Sequence, residues 1–234
     1  GLNQLFILLY NQAKIAPAIP LSTKPKLHQL HYQVVQNYCI FINLIKNDYM
    51  NKAIFLDRDG VINKSFVKNG LPFSPPSFNE LKILTGVKES IFRLQKLNFI
   101  CLVVTNQPDV SRGKIEKKTV IKMNNYLKKE LKLDDIFVCY HDDHDNCKCR
   151  KPKSGLLLEA QKKWNIDIKG SYMIGDRWKD IEAGIRIGCR TIFIDHNYKE
   201  MKPKDSNFTT DSLLNAVHLI KQTKNKKSKL HSTI

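Results

Sequence analysis

The sequence predicts an α/β protein built on a doubly wound parallel sheet of the Rossmann type. From Met50 onward, short apolar runs of strand length alternate with longer segments of helical periodicity. Strict alternation of strand and helix predicts right-handed crossovers and parallel strands with helices on both faces. In addition, the chain has 234 residues, of which 42% are hydrophobic. This is enough for one domain with a substantial core and some appendages.

Five apolar runs are expected to form the strands. They are Ala53–Leu56, Phe99–Thr105, Ile136–Cys139, Tyr172–Ile174 and Thr191–Ile194. Five amphipathic segments are expected to form the helices: Val87–Leu97, Ile115–Leu131, Gly155–Trp164, Lys179–Ile187 and Asp211–Lys221. No interval between them is long enough for a large cap domain, since residues 60–86 form a proline-rich flap and a cysteine-rich loop follows the third strand.

The domain proper is expected at residues 50–220, with appendages on both sides. Residues 1–49 are interpreted as an N-terminal extension, either a translated upstream region or a fusion remnant, with the working protein starting at Met50. Residues 221–234 are predicted to be a disordered, lysine-rich tail. The apolar stretches at 5–10 and 38–42 are far shorter than the ~20 residues of a membrane span, and no signal-peptide pattern is present. We therefore expect a cytoplasmic monomer without a membrane partner.

The net charge of +17 raises the question of a nucleic-acid partner. The excess of basic over acidic residues is spread along the chain and is concentrated only in the tail. Lysines outnumber arginines 32 to 7, whereas base readout and bidentate phosphate binding favour arginine. The pattern is typical of solvated helix faces. We expect no nucleic-acid partner, and a basic nucleic-acid-binding or end-processing protein remains the remote alternative.

Polar residues follow the predicted strands where each strand ends. They are Asp57, Thr105 with Asn106, Cys139 with His141, and Asp176. In a parallel sheet these ends lie along one edge, where ligands bind, so we expect the residues to share one site.

The segment Asp57-Arg58-Asp59-Gly60 predicts a magnesium site. Residues two apart in an extended chain face the same side, so Asp57 and Asp59 are expected to converge while Arg58 turns away. Gly60 allows the backbone to swing out of the cleft. Two neighbouring carboxylates repel each other unless a cation lies between them, and Asp176 is expected to complete an oxygen site for Mg²⁺.

The loop that follows the third strand predicts a structural zinc site. Cys139, His141, Cys147 and Cys149 supply three thiolates and one imidazole, the ligand set of tetrahedral Zn²⁺. His144 is an alternative to His141 as the fourth ligand. A disulfide is a further alternative, which a cytosolic redox setting disfavours.

Taken together, these motifs resemble those of the haloacid dehalogenase (HAD) superfamily of phosphotransferases. The resemblance covers about residues 50–195 and comprises Phe55 to Gly60, Thr105-Asn106, Lys151, and Gly175-Asp176 with Asp180. It implies phosphoryl transfer through an aspartyl phosphate, with Asp57 as nucleophile and Asp59 as general acid and base. It further implies that Thr105 and Lys151 hold the phosphate, that Asp176 binds Mg²⁺, and that Asp180 orients the lysine.

The zinc loop followed by Arg150-Lys151-Pro152-Lys153 resembles a small, cap-less subgroup whose members act on heptose bisphosphate or on histidinol phosphate. The segment Thr105–Gly113, with Arg112-Gly113, favours the heptose branch. The five-residue interval between His141 and Cys147 favours the histidinol branch. We favour removal of the 7-phosphate of D-glycero-D-manno-heptose 1,7-bisphosphate, a precursor of lipopolysaccharide or other surface polysaccharide, and histidinol-phosphate hydrolysis remains the alternative.

On this resemblance a small phosphorylated sugar is the expected partner. Its predicted binding residues are Ser65, Lys68, Asn106, Gln107, Arg112, Arg150 and Arg177.

Overall fold

The computed structural model describes the backbone of residues 50–231 and the side chains of residues 50–225. The expectation for residues 1–49 falls outside the described residues. The strands are β1 (Lys52–Leu56), β2 (Phe66–Lys68), β3 (Leu71–Phe73), β4 (Phe99–Asn106), β5 (Asp135–Cys139), β6 (Tyr172–Gly175), β7 (Arg190–Ile194) and β8 (Phe208–Thr210). The helices are α1 (Val87–Lys96), α2 (Lys117–Leu131), α3 (Gly155–Trp164), α4 (Trp178–Ile187) and α5 (Leu213–His231), with short 3₁₀ turns at Phe78–Glu80 and Asp143–Asp145.

Six strands form one parallel sheet in the spatial order β5-β4-β1-β6-β7-β8. Side chains of β1 alternate between its two faces: Ile54 and Leu56 enter one core layer, and Ala53 and Phe55 enter the other. Apolar residues of α1, α2 and α5 cover the first layer, and those of α3 and α4 cover the second. The predicted doubly wound fold is therefore confirmed.

The apolar face of α1 illustrates why these segments form helices. Val87, Ile91 and Leu94 recur at helical spacing and are buried, whereas the intervening charged residues face solvent. Burial of such a face supplies most of the stability of a short helix.

The residues between β1 and α1, which we expected to form only a flap, contain the antiparallel hairpin β2–β3. Its turn is Asn69-Gly70, and both residues have positive φ, as a two-residue hairpin turn requires. This dipeptide was the available sequence signal. Strand β8 was also not predicted.

The C-terminal tail also differs from the prediction. We placed a disordered tail at 221–234, but α5 continues to His231. Within this stretch, Lys224 donates to the carbonyl of Leu97 at 2.8 Å, and its ammonium lies 5.1 Å from the ring of Phe99. These contacts give the helix an anchor that its composition does not reveal.

The strand order brings the predicted site together. The adjacent strands β5, β4, β1 and β6 all point the same way, so the residues that end them lie side by side. The chain runs outward from β1 through β4 to β5, then returns to β6 on the other side of β1. This reversal is the position where open parallel sheets bind ligands. No helix in the described part of the chain is both long and apolar enough to span a bilayer.

Candidate active site

Three carboxylates converge at the ends of β1 and β6. Asp57 follows β1, Asp176 follows β6, and Asp180 lies in the first turn of α4. All three are buried, and one oxygen from each lies within 4.8 Å of the others. Neither oxygen of Asp176 has a hydrogen-bond partner among the described residues, and the neighbouring Tyr198 hydroxyl acts to lower the pKa of this carboxyl group. Because burying an unpaired carboxylate is costly, this donor set fits a cation.

Gly60 is required here for two reasons. Its φ of +86° belongs to the left-handed region, in agreement with the expected turn out of the cleft. In addition, a Cβ atom at this position would lie 1.8 Å from Oδ2 of Asp176. The absence of a side chain therefore allows the loop after β1 to approach the carboxylate at the end of β6.

Lys151 is buried in the same cluster. Its ammonium donates to Oδ1 of Asp57 at 2.8 Å and to the carbonyl of Val104 at 2.7 Å, and it lies 2.6 Å from Oδ1 of Asp180. The predicted active-site lysine is thus not on the surface, and it lies between two of the three carboxylates.

The backbone of Lys151 is held by Asn106, which ends β4. The Asn106 amide donates to the Lys151 carbonyl at 3.0 Å and accepts from the Lys151 N–H at 3.1 Å. Thr105, predicted to hold the phosphate, is 1% exposed, and its hydroxyl accepts from the amide of Gln107. Asn106 therefore positions the backbone of Lys151, in addition to lining the substrate site as predicted.

Asp59 lies outside the three-carboxylate cluster, but it lines the same cavity as Asp57, as expected for two residues that converge. Its oxygens instead accept hydrogen bonds from Arg58, Asn63, Ser74 and Gln107 at 2.7–3.1 Å. Arg58, which we expected to turn away, is fully buried beside it. A buried carboxylate next to a guanidinium forms a charge-assisted pair, which explains why Arg58 does not turn away from Asp59.

These environments raise the pKa values of some of these carboxyl groups and lower that of another. Burial raises the pKa of Asp57 to about 6, with Lys151 opposing the shift and the charges of Asp180 and Asp59 reinforcing it. Burial and then the charges of Asp57 and Asp180 raise the pKa of Asp176 well above its usual range. Burial also acts to raise the pKa of Asp59, but Arg58 and the neighbouring hydrogen-bond donors outweigh it and leave that pKa lowered. The cluster thus carries crowded negative charge that a cation would relieve.

The Cys/His loop is assembled as predicted. Cys139, Cys147 and Cys149 have sulfur–sulfur distances of 3.2–3.7 Å, and Nδ1 of His141 lies 3.3 Å from the Cys149 sulfur. Four ligands about 2.3 Å from a tetrahedral Zn²⁺ would be about 3.8 Å apart, so the set fits such an ion after small adjustments. His144 lies outside the cluster, and the three cysteines are not joined by a disulfide.

The pKa of Cys147 also suits metal binding. Burial acts to raise it, but hydrogen bonds from Cys149, from the Arg150 backbone and from Cys139 lower it to about 7. A thiolate is therefore accessible near neutral pH.

A cavity of about 300 Å³ opens above the carboxylates. Five of the predicted substrate residues line it: Ser65, Asn106, Arg112, Arg150 and Arg177. Two do not. Gln107 is buried behind Asp59, and Lys68 lies on the hairpin facing a neighbouring groove.

The cavity also contains residues that sequence reasoning did not place at the substrate site. They are Ser74, Asp109, Asp143, Lys179 and Glu200, together with Leu71 to Phe73 of the hairpin. Asp180 also lines the cavity, and the resemblance had implied that it orients the lysine. Its carboxylate lies 2.6 Å from the Lys151 ammonium, accepts from the Arg177 N–H at 3.0 Å and caps α4. Glu200 pairs with Arg177, but no sequence pattern marked it, since it lies in a loop beyond β7.

Comparisons with known proteins agree with this geometry. A family model described as HAD-hydrolase-like matches residues 148–216. The D-glycero-beta-D-manno-heptose-1,7-bisphosphate 7-phosphatase of Haemophilus influenzae is 35% identical over 147 residues, covering 58% of this chain and 77% of that protein. The enzyme of the same name from Escherichia coli K12 is 31% identical over 189 residues, covering 76% of this chain and 95% of that protein.

A solved structure is also similar. It is the D,D-heptose 1,7-bisphosphate phosphatase from B. bronchiseptica complexed with magnesium and phosphate, with a TM-score of 0.64 and 26% identity, covering 74% of this chain and 99% of that one. This chain therefore belongs to the HAD-like family of phosphatases. Within that family, the relatives it resembles are phosphatases of heptose bisphosphate, as the sequence motifs predicted.

Proposed function

We propose that this phosphatase removes the 7-phosphate of D-glycero-D-manno-heptose 1,7-bisphosphate by way of a phosphorylated Asp57. The single observation that carries the mechanism is the buried cluster of Asp57, Asp176 and Asp180 with Lys151. The choice of substrate is supported by the cavity and by the relatives at 31–35% identity, which are named as phosphatases of this compound.

Two metal sites accompany this proposal. Asp57, Asp176 and Asp180 would hold Mg²⁺, since hard oxygen ligands suit that ion and Asp176 has two unpartnered oxygens. When bound, Mg²⁺ supplies positive charge that offsets the repulsion between the substrate phosphate and the carboxylates. Cys139, His141, Cys147 and Cys149 would hold a structural Zn²⁺.

In the first step, Asp57 attacks the phosphorus atom and the bond to the sugar oxygen breaks. Lys151 and Thr105 would contribute donors around the phosphate, with Lys151 already 2.8 Å from the nucleophile. Asn106 holds the backbone of Lys151 from both sides, so the ammonium is positioned before substrate binds. In the second step, water hydrolyses the acyl phosphate and restores Asp57.

Asp59 would exchange the protons in both steps. It lines the cavity and is oriented by four neighbouring side chains, including Arg58. Those donors lower its pKa, but an arriving phosphate dianion acts in the opposite direction and favours the protonated form. Asp59 can then protonate the leaving oxygen and later accept a proton from water.

The mechanism is tested by replacing the nucleophile. Asp57→Asn should abolish Mg²⁺-dependent phosphate release, because the amide cannot form the acyl phosphate. Asp205→Asn, at an exposed acid outside the cavity, is the matched control and should retain wild-type turnover. Turnover by Asp57→Asn within tenfold of wild type, with metal contamination and revertants excluded, would reject the mechanism.

The substrate is tested separately by comparing kcat/KM for heptose 1,7-bisphosphate, its two monophosphates and histidinol phosphate. We expect the bisphosphate to be preferred over histidinol phosphate by at least about tenfold, a difference worth about 1.4 kcal/mol. The reverse order would favour the histidinol-phosphate alternative.

A further inference from the structure

The cationic side chains around the cavity are not equivalent. Seven acidic and five basic residues line it, so net charge alone does not attract a doubly phosphorylated substrate. What matters is which cations are already bound to a carboxylate. Four of the five are bound in this way: Arg112, Arg150, Lys151 and Arg177 each lie within 3.2 Å of at least one carboxylate oxygen.

Lys179 is the exception among the cavity-lining residues. Its ammonium forms only a long ion pair with Oδ1 of Asp143, at 3.9 Å, which is beyond hydrogen-bond distance. That same oxygen already accepts from Nε of Arg150 at 2.8 Å. The Lys179 side chain is 21% exposed and lies in the first turn of α4, and its ammonium lies 5.7 Å from the ring of Trp178. Among the described residues, none of its three ammonium donors lies within hydrogen-bond distance of a carboxylate.

Lys179 also interacts electrostatically with two other cations at this side of the cavity. Arg150 and Arg177 act on it through their positive charges, and Asp143 and Glu200 act on it through their negative charges. Each of these arginines has its own acidic partner, Asp143 and Glu200. An anion arriving between the three would meet two pre-oriented guanidinium groups and one ammonium that is not hydrogen-bonded to a carboxylate.

We propose that Lys179 is a specificity-determining residue that binds the second, non-reacting phosphate of a bisphosphorylated sugar. The reacting phosphate has its own cation in the buried Lys151, whereas Lys179 lies nearer the mouth of the same cavity. This inference rests on the proposed function only in assuming that the substrate carries two phosphates.

The test compares bisphosphate and monophosphate substrates. Lys179→Met keeps most of the stem and removes the charge, so KM for heptose 1,7-bisphosphate should rise about tenfold or more, the effect of one lost charge-assisted hydrogen bond. The kcat value should change less than about twofold, because the reacting centre is untouched. KM for heptose 7-phosphate should stay the same, and Lys179→Arg should restore most of the preference.

Lys162→Met is the matched control, at an exposed lysine of α3 outside the cavity, and it should behave as wild type. A second substrate pair, fructose 1,6-bisphosphate and fructose 6-phosphate, separates the two proposals. Poor turnover of the heptose compounds by wild type would reject the proposed substrate, and the hexose pair would still test Lys179.

An equal effect of Lys179→Met on monophosphate and bisphosphate would overturn the inference. An unchanged KM of Lys179→Met for every bisphosphate would also overturn it. A wild-type enzyme that does not prefer the bisphosphate over the monophosphate in either pair would overturn it as well.

Discussion

The collision predicted at Gly60 gives a quantitative test of the active-site geometry. In Gly60→Ala the new Cβ would lie 1.8 Å from Oδ2 of Asp176, whereas real Cβ contacts are essentially never below 3.0 Å. The carboxylate or the loop must therefore move by about 1.2 Å, and a displacement of about 1 Å in a catalytic group costs on the order of 100-fold in rate. The left-handed backbone adds a stability cost of about 1–2 kcal/mol.

Gly113→Ala separates these two effects. Gly113 also has positive φ, +67°, but a Cβ there would meet nothing within 4 Å. Gly113→Ala should lose about 1–2 kcal/mol of unfolding free energy in urea titrations, and Gly60→Ala should lose at least as much because of its added overlap. Only Gly60→Ala should lose about 100-fold in kcat. If the two variants had equal kcat values, the close approach of Gly60 to Asp176 would not govern catalysis and the reasoning would be refuted.

Two further predictions concern the metal loop and a surface ion-pair cluster. Cys147→Ser should lose bound zinc and lower Tm by several degrees, because a thiolate ligand is removed. The control is Cys189→Ser, at a buried cysteine outside the loop, which should keep its metal content. Elemental analysis measures the zinc content of both variants. Asp135→Asn should lower the unfolding free energy at pH 7 by about 1 kcal/mol after allowance for solvent screening. Burial opposes the shift, but two lysines and two N–H donors lower the pKa of Asp135 to about 2. The stabilisation is therefore complete above the ordinary value of 3.8 and is lost as pH falls toward 2, so wild type and variant should converge in acid denaturation curves. A constant difference between them down to pH 2 would contradict this origin.

The main features of the fold were predictable because they depend on local patterns. Each of the five predicted strands is an apolar run that ends at a polar residue, and period-2 alternation assigns Ile54 and Phe55 to opposite core layers. The cysteine cluster was predictable for the same reason, since its spacing alone brings Cys147 and Cys149 close together. The hairpin was missed although Asn69-Gly70 was a usable signal, and the extension of α5 depends on a contact with residues more than a hundred positions away.

By itself, the sequence determined the fold class and pointed to residues that the structure brings together: Asp57 with Lys151, and the four Cys/His residues. These depend on residue type and short-range spacing. The tertiary structure decided how the charges are partnered: it buries Arg58 against Asp59, brings Asp180 into the carboxylate cluster and leaves the Lys179 ammonium 3.9 Å from its acidic partner. The physical reason is that the energy of a charge depends on burial and on neighbours from distant segments, and neither can be read from the order of residues along the chain.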